Sequence, residues 1–361
     1  MRRQLREKLD RVFGSCKGID RIVLVNTSEK DPNFTYLTGF KGGLFEESIL
    51  LADRKGLTLF TSSLEYETAL KQRFDGLRIV DPSDPEAAKA LLSGALKGKR
   101  IGINGSFLPY SKYLSLRKRY RPKRIADVNG SFMKARLVKS AEEIASIREA
   151  ARITRTAQER ILKYLRAGIT ERSVAREFDD ISEGLGSGRP SFDTIVCFGK
   201  NASLPHHMPD DTKLKAGDFV LIDAGATVGN YCSDMTRTSV FGGAGARGRG
   251  EKAEMLRIVK EAQGKAIRGI RPGKKGSEID GIARSYLDTV DKGKYKGRFI
   301  HALGHSVGIE VHDGEGFSPG SKLTLKENMV ITVEPGVYVP DFGGVRFEDD
   351  ILITKKGCKI I

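Results

Sequence analysis

The 361-residue sequence has no tryptophan, four cysteines and five histidines. Cys16, Cys197, Cys232 and Cys358 are scattered, with neither C-x-x-C spacing nor the density of a disulfide scaffold, and this usage fits a reducing compartment. No apolar run approaches the roughly 20 residues that span a bilayer. Apolar runs such as 219–222 and 330–333 are strand-sized. Residues 1–11 are charged throughout and lack the apolar stretch of a secretory signal, while Leu5, Leu9, Val12 and Phe13 share one helical face. A cytoplasmic protein without a membrane partner is expected, and its length admits two ordinary cores.

Acidic residues are in deficit. Lys and Arg number 62 against 46 Asp and Glu, a formal charge of +16 that favours acidic surfaces without naming a function. The densest basic run is Arg117, Lys118, Arg119, Arg121, Lys123 and Arg124, interrupted by Tyr120 and Pro122. With one interleaved aromatic and no recognisable nucleic-acid motif, it reads as a solvated edge, and nucleic acid is not expected as a partner.

The first third alternates strand-like segments (22–25, 49–52, 57–61, 77–80, 100–104) with helix-like ones (62–74, 85–96), which predicts an α/β domain over residues 1–130. A polar turn, Asp127-Val128-Asn129-Gly130, marks the boundary. Ser140 and Glu143 then have capping-box spacing and predict a long helix with a stop at Gly168. Further helices are expected over 171–185, 251–267 and 277–290. Strands dominate beyond residue 190, at 194–198, 219–226, 231–241, 329–339 and 344–354.

Acids interrupt these strands. Asp223 and Asp234 are equidistant from the Val228-Gly229 step, so a hairpin there predicts that they face each other directly. Glu334 and Glu348 are equidistant from Asp341 in Pro340-Asp341-Phe342-Gly343-Gly344, a second hairpin loop, with Arg346 on the face of Glu348. Like charges opposed on apolar strands are destabilising unless a proton or cation is shared. All five histidines, His206, His207, His301, His305 and His312, fall within 206–312. His207 reads as structural; among the others a metal ligand is expected, and the carboxylates are numerous enough for two divalent ions.

These residues resemble the pita-bread metallopeptidases, in their proline-directed branch with a creatinase-like N-terminal domain. Asn33-Phe34-Thr35-Tyr36-Leu37-Thr38-Gly39 is similar to the N-domain signature and Arg136-Leu137-Val138-Lys139-Ser140 to the start of the catalytic domain. The resemblance implies an α/β N-terminal domain (1–130) and an α+β pita-bread catalytic domain (131–361) with a curved, mainly antiparallel sheet. It implies metal ligands Asp223, Asp234, His305, Glu334 and Glu348, and two divalent ions, manganese or cobalt foremost, with zinc or iron as alternatives. It further implies Glu334 as proton shuttle, His301 and His312 beside the substrate, His206 on the inner wall, Arg346 orienting ligating carboxylates, and a homodimer. Asp313 departs from the glutamate that many members carry there. The expected activity is hydrolysis of the Xaa-Pro bond at peptide N-termini, as an Xaa-Pro aminopeptidase or dipeptidase. Between His312 and Glu334 the only cations are Lys322 and Lys326, which weakens the dipeptidase reading. The alternative is a metal-free protein on the same fold, a creatinase-type amidinohydrolase or a binding module.

Two motifs mislead. Gly304-His305-Ser306-Val307-Gly308 fits the serine-hydrolase elbow, yet only His312 follows it. Gly243-Ala244-Gly245-Ala246-Arg247-Gly248 fits a dinucleotide fingerprint, but no apolar parallel strand follows at the required distance, so it reads as a loop.

Overall fold

The computed structural model describes residues 3–242 and 250–361. The glycine-rich motif at 243–248 lies outside them. The chain divides into two units, Met1–Arg136 and Leu137–Ile361.

The first unit contains α1 (Arg3–Ser15), β1 (Arg21–Val25), α2 (Pro32–Thr38), β2 (Ile49–Asp53), β3 (Gly56–Phe60), α3 (Ser63–Lys71), β4 (Leu77–Val80), α4 (Pro85–Leu96), β5 (Arg100–Ile103), α5 (Tyr110–Tyr120) and β6 (Arg124–Asp127). Its six strands form one mixed sheet in the order β4-β3-β2-β1-β5-β6. Leu5, Leu9, Val12 and Phe13 of α1 are buried, as the periodicity predicts. Three helices escape the sequence reading, α5 among them, and for the other two the reason is identifiable. In α2, Asp31 caps the Asn33 amide, Pro32 pre-sets the first turn and Gly39 closes it at φ 65°, so caps replace periodicity in a helix too short to show any. The expected turn at 127–130 is instead the start of α6 (Asn129–Leu137), where Asp127 accepts from the Asn129 amide.

In the second unit the predicted capping box forms as expected: Ser140 Oγ accepts from the Glu143 amide, and the Glu143 carboxylate accepts from the Ser140 amide at 2.7 Å. It opens α7 (Ala141–Ile161), which ends seven residues before Gly168. There follow α8 (Glu171–Gly184), β7 (Ile195–Phe198), β8 (Phe219–Ala224), β9 (Thr227–Val228), β10 (Tyr231–Cys232), β11 (Met235–Val240), α9 (Glu251–Gly269), α10 (Gly276–Thr289), β12 (Val330–Val333), β13 (Gly336–Val339), β14 (Gly343–Arg346), β15 (Asp349–Ile353) and β16 (Cys358–Ile360). All pairings among these strands are antiparallel. The buried faces of α9 and α10 (Met255, Leu256, Val259, Ile279, Ala283) pack with Phe219, Ile331, Val333 and Ile351 in one apolar cluster. That burial, at about 25 cal/mol per Å² of apolar surface, is what holds the strands in place.

The long strands expected from sequence are each broken once, and the breaks fall at or beside the acids. Asp234 lies between β10 and β11, Glu334 between β12 and β13, and Glu348 between β14 and β15. Asp223 is the penultimate residue of β8.

Candidate metal centre

Register decides how the acids meet. In the β8–β11 ladder Asp223 pairs with Thr236, and in β9–β10 Thr227 pairs with Cys232. Gly229 (φ 57°) and Asn230 (φ 71°) therefore form the two-residue turn, both in the left-handed conformation that a type I′ hairpin requires. The turn lies one residue beyond the expected Val228-Gly229 step, so Asp223 and Asp234 are diagonal rather than directly opposed. A two-residue offset keeps both on the same face, because side chains alternate with period two. In the second hairpin Val333 pairs with Asp349 and Gly336 with Arg346, a common register that brings Glu334 opposite Glu348.

Ligand atoms of Asp234, His305 and Glu348 lie within 4.8 Å of one another. His305 Nε2 is 3.4 Å from both Asp234 Oδ2 and Glu334 Oε1. Around this group Asp223, Glu348 and Glu334 are each held by one oxygen. Arg346 Nη2 donates to Asp223 Oδ2 at 2.6 Å. Thr236 Oγ1 accepts from Arg346 Nε, which can only donate, so its own hydroxyl points to Glu348 Oε2 at 2.6 Å. Thr332 repeats the device, accepting from the His305 amide at 3.0 Å and donating to Glu334 Oε1 at 3.1 Å. Asp350 Oδ2 accepts from the Asp234 amide at 3.1 Å.

Asp223 Oδ1, Asp234 Oδ1 and Glu348 Oε1 are buried with no hydrogen-bond partner among the described residues. A carboxylate left so is costly. Burial, and then repulsion from Asp223, Glu334 and Asp350, holds the Asp234 carboxyl well above the usual range. Glu348 is raised by burial and then by Asp234, Glu334 and Asp223. Burial pushes Glu334 to about 7 against the opposing pull of His305 and Arg346. Hard oxygen donors plus one imidazole, unpaired and mutually repelling, fit divalent cations.

The histidines separate into roles. His301 is pushed down to about 4, chiefly by burial, and is neutral at pH 7. Its Nδ1 lies 2.8 Å from the Ala302 carbonyl and so carries the proton, leaving Nε2 to accept from the Tyr338 hydroxyl at 2.9 Å. That hydroxyl in turn accepts from Arg346 Nη1 at 2.8 Å. His312 lies against His305 with ring centroids 3.9 Å apart, and desolvation, followed by repulsion from His305 and His206, lowers it to about 4. His206 is exposed rather than set into an inner wall, though its charge reaches both His301 and His312. His207 pairs with buried Glu171 at 2.7 Å, and Glu171 also accepts from the Phe198 and Asp210 amides and from Asn201, a saturated structural cluster.

Sequence reasoning missed Tyr338, Thr236, Thr332 and Asp350. Period two offered a signal for the threonines, each two residues from an acid on its strand. In the fold, a Cβ at Gly336 would lie 2.4 Å from the Tyr338 oxygen, so the ring occupies space that only glycine leaves open. Ser306, the serine of the misleading elbow, is fully buried, accepts from Lys139 at 3.1 Å and donates to the Val330 carbonyl, so it is no nucleophile.

Residues 145–355 match the model of metallopeptidase family M24, and residues 6–138 that of the creatinase/prolidase N-terminal domain. An Xaa-Pro dipeptidase of Pyrococcus horikoshii is 36% identical over 360 residues, which are 98% of this chain and 96% of the relative. Among solved structures, an Xaa-Pro dipeptidase from Bacillus anthracis superposes with a TM-score of 0.88 at 33% identity, over 99% of this chain and 97% of that one. An X-Pro aminopeptidase from Thermotoga maritima gives 0.86 at 31% identity, with 97% of each chain covered.

Proposed function

Since the chain belongs to metallopeptidase family M24, we propose that it is a two-metal exopeptidase hydrolysing the Xaa-Pro bond at peptide N-termini. The observation that carries this reading is the set of buried, unpartnered carboxylate oxygens on Asp223, Asp234 and Glu348. These residues, with His305 and Glu334, would hold the cations, for which manganese or cobalt is proposed. When bound, such ions lower the pKa of water and polarise a carbonyl.

The protein's own groups supply the rest. Glu334, held by Thr332 and lying against His305, takes a proton from the attacking water and returns it to the departing proline nitrogen. His312 stabilises the oxyanion. His301, with Nδ1 on Ala302 and Nε2 on Tyr338, lines the wall beside the substrate and orients that tyrosine. Arg346 fixes Asp223 directly and Glu348 through Thr236, and such outer contacts set the ligand geometry. His206 lies at the exposed rim. A homodimer in the cytoplasm is part of the same proposal. No helix among the described residues is long and apolar enough to cross a membrane.

Dipeptides are the proposed substrates, because the Pyrococcus and Bacillus relatives are named for that activity. Longer peptides are the second reading, favoured by the absence of an arginine between His312 and Glu334 to hold a proline carboxylate. Release from an Xaa-Pro dipeptide and an Xaa-Pro-Xaa tripeptide, with manganese or cobalt added, tests both. Hydrolysis of neither overturns the proposal.

A further inference from the structure

Between Ala87 and Ala126 the sequence carries eleven Lys and Arg and no Asp or Glu, so this one-ninth of the chain supplies most of the +16 charge. In the linear sequence the 117–124 run reads as a solvated edge. The fold adds residues that the run does not contain. The Gly98 amide donates to the Arg121 carbonyl and the Lys123 amide to the Lys99 carbonyl, while Arg124 pairs with Arg100 across β5–β6. The end of α4, the start of β5, the end of α5 and the edge strand β6 thus converge at one corner of the sheet.

Three of the eleven are offset by acids from elsewhere: Arg100 by Asp20, Lys112 by Glu47 and Lys89 by Glu86. The remaining eight are exposed and in no ion pair among the described residues. Cations at Arg117, Lys118 and Arg119 complement the C-terminal dipole of α5, which accounts for part of the run. It does not account for Lys97, Lys99, Lys123 or Arg124. Arg121, moreover, closes α5 at φ 45°, a left-handed position that favours glycine, yet it holds another cation.

The same helix carries flat apolar surface in water. Tyr110 is 73% exposed and stacks on Tyr113, with ring planes 18° apart and centroids at 6.1 Å, and Leu114 is 44% exposed. Tyr110, Leu114, Lys118 and Arg121 follow one another at helical spacing, so the aromatic end of α5 runs directly into the basic corner. A row of cations in no ion pair among the described residues, on a helix face that continues to an exposed ring about 12 Å away, suits a polymer that alternates phosphates with stacking bases. A bilayer surface would use the charge but needs a broader inserted apolar face than Tyr110 and Leu114 provide.

We propose that this corner of the N-terminal unit, the end of α4 with the β5–β6 edge and α5, binds single-stranded nucleic acid, with phosphates on Lys97, Lys99, Lys118, Arg121 and Lys123 and a base on Tyr110. Binding of fluorescein-labelled 20-mers of oligo(A) and oligo(dA) to the full chain, read by anisotropy between 50 and 300 mM salt, tests it. Saturable binding to both is expected, with log K falling linearly in log salt. The triple variant Lys99→Gln, Lys118→Gln, Lys123→Gln should flatten that slope by about 2, as loss of three phosphate contacts on a single strand requires. Tyr110→Ala should weaken binding about 10-fold with the slope unchanged, because stacking releases no counterions. Melting temperature and Xaa-Pro hydrolysis should be unaltered in both variants. Absence of binding at 150 mM salt, an unchanged slope in the triple variant, full affinity in Tyr110→Ala, or capture by phosphatidylserine vesicles in preference to the oligonucleotides would each overturn the proposal.

Discussion

Lys139 and Asp313 form an ion pair inside the second unit, Nζ to Oδ2 at 3.5 Å, with the side chains 0% and 2% exposed. Lys139 also donates to Ser306 Oγ, and the Asp313 amide donates to the Ser306 carbonyl at 2.7 Å. The segment from His305 to His312 is therefore fastened at both ends to one buried charge pair. An exposed pair would contribute about 0–1 kcal/mol. Here, replacing Lys139 by Met removes one member of a buried ion pair with Asp313, and breaking such a pair costs roughly 3–5 kcal/mol. For a unit of this size that corresponds to a fall of about 6–20 °C in melting temperature. The double variant Lys139→Met, Asp313→Asn removes both charges of the pair and should recover most of the loss. Calorimetry of wild type, both single variants and the double variant gives the coupling directly. A Lys139→Met protein melting within 2 °C of wild type, or a double variant no better than the single, would show that the pair does not hold this segment.

Asp313→Glu adds a methylene where a Cβ on Gly308 would already lie 1.8 Å from Asp313 Oδ2. We expect destabilisation of about 1–3 kcal/mol in urea unfolding, and no loss would mean that the pocket is looser than it looks. Thr236→Val deletes the hydroxyl between Arg346 and Glu348. Metal affinity should fall about 10- to 100-fold by titration calorimetry, with the fold intact by circular dichroism; unchanged affinity would remove Thr236 from the site. In chelated protein Glu334 and Asp350 are both raised to about 7. The folded state then binds protons more tightly than the unfolded chain, so these groups stabilise at low pH and lose that contribution as pH rises from about 4 through 7. Melts of chelated protein should therefore decline over that interval more steeply than melts with manganese added, and parallel curves would contradict a cation-neutralised centre. Excess metal at 100 times its Kd should add about 2.7 kcal/mol of stability.

The second hairpin shows what was legible. Glu334 and Glu348 meet because the chain turns about Asp341, where φ is 62°, and one register runs through both ladders on either side. The first hairpin was legible only to within two residues. Val228-Gly229 and Gly229-Asn230 both lie near the midpoint, and the fold uses the second, with φ positive at Gly229 and Asn230 and Val228 paired with Tyr231 in the ladder. Tyr338, Asp350 and Lys139 carried no comparable local mark. Tyr338 matters because two segments bring His301 and Arg346 to it, and Lys139 because Asp313, 174 residues away, is its partner.

Local patterns, on their own, determined the helices with caps and stripes, the strands, the acids that interrupt them and the ligand types available for a cation. These are properties of short windows, where period, turn residues and residue chemistry act within a few positions. Tertiary structure decided which carboxylate oxygens are held and which are left bare, which tautomer His301 adopts, and that scattered cations from α4, α5, β5 and β6 gather at one corner of a sheet. Those outcomes depend on burial and on donors supplied from distant segments, and both exist only once the chain has closed on itself.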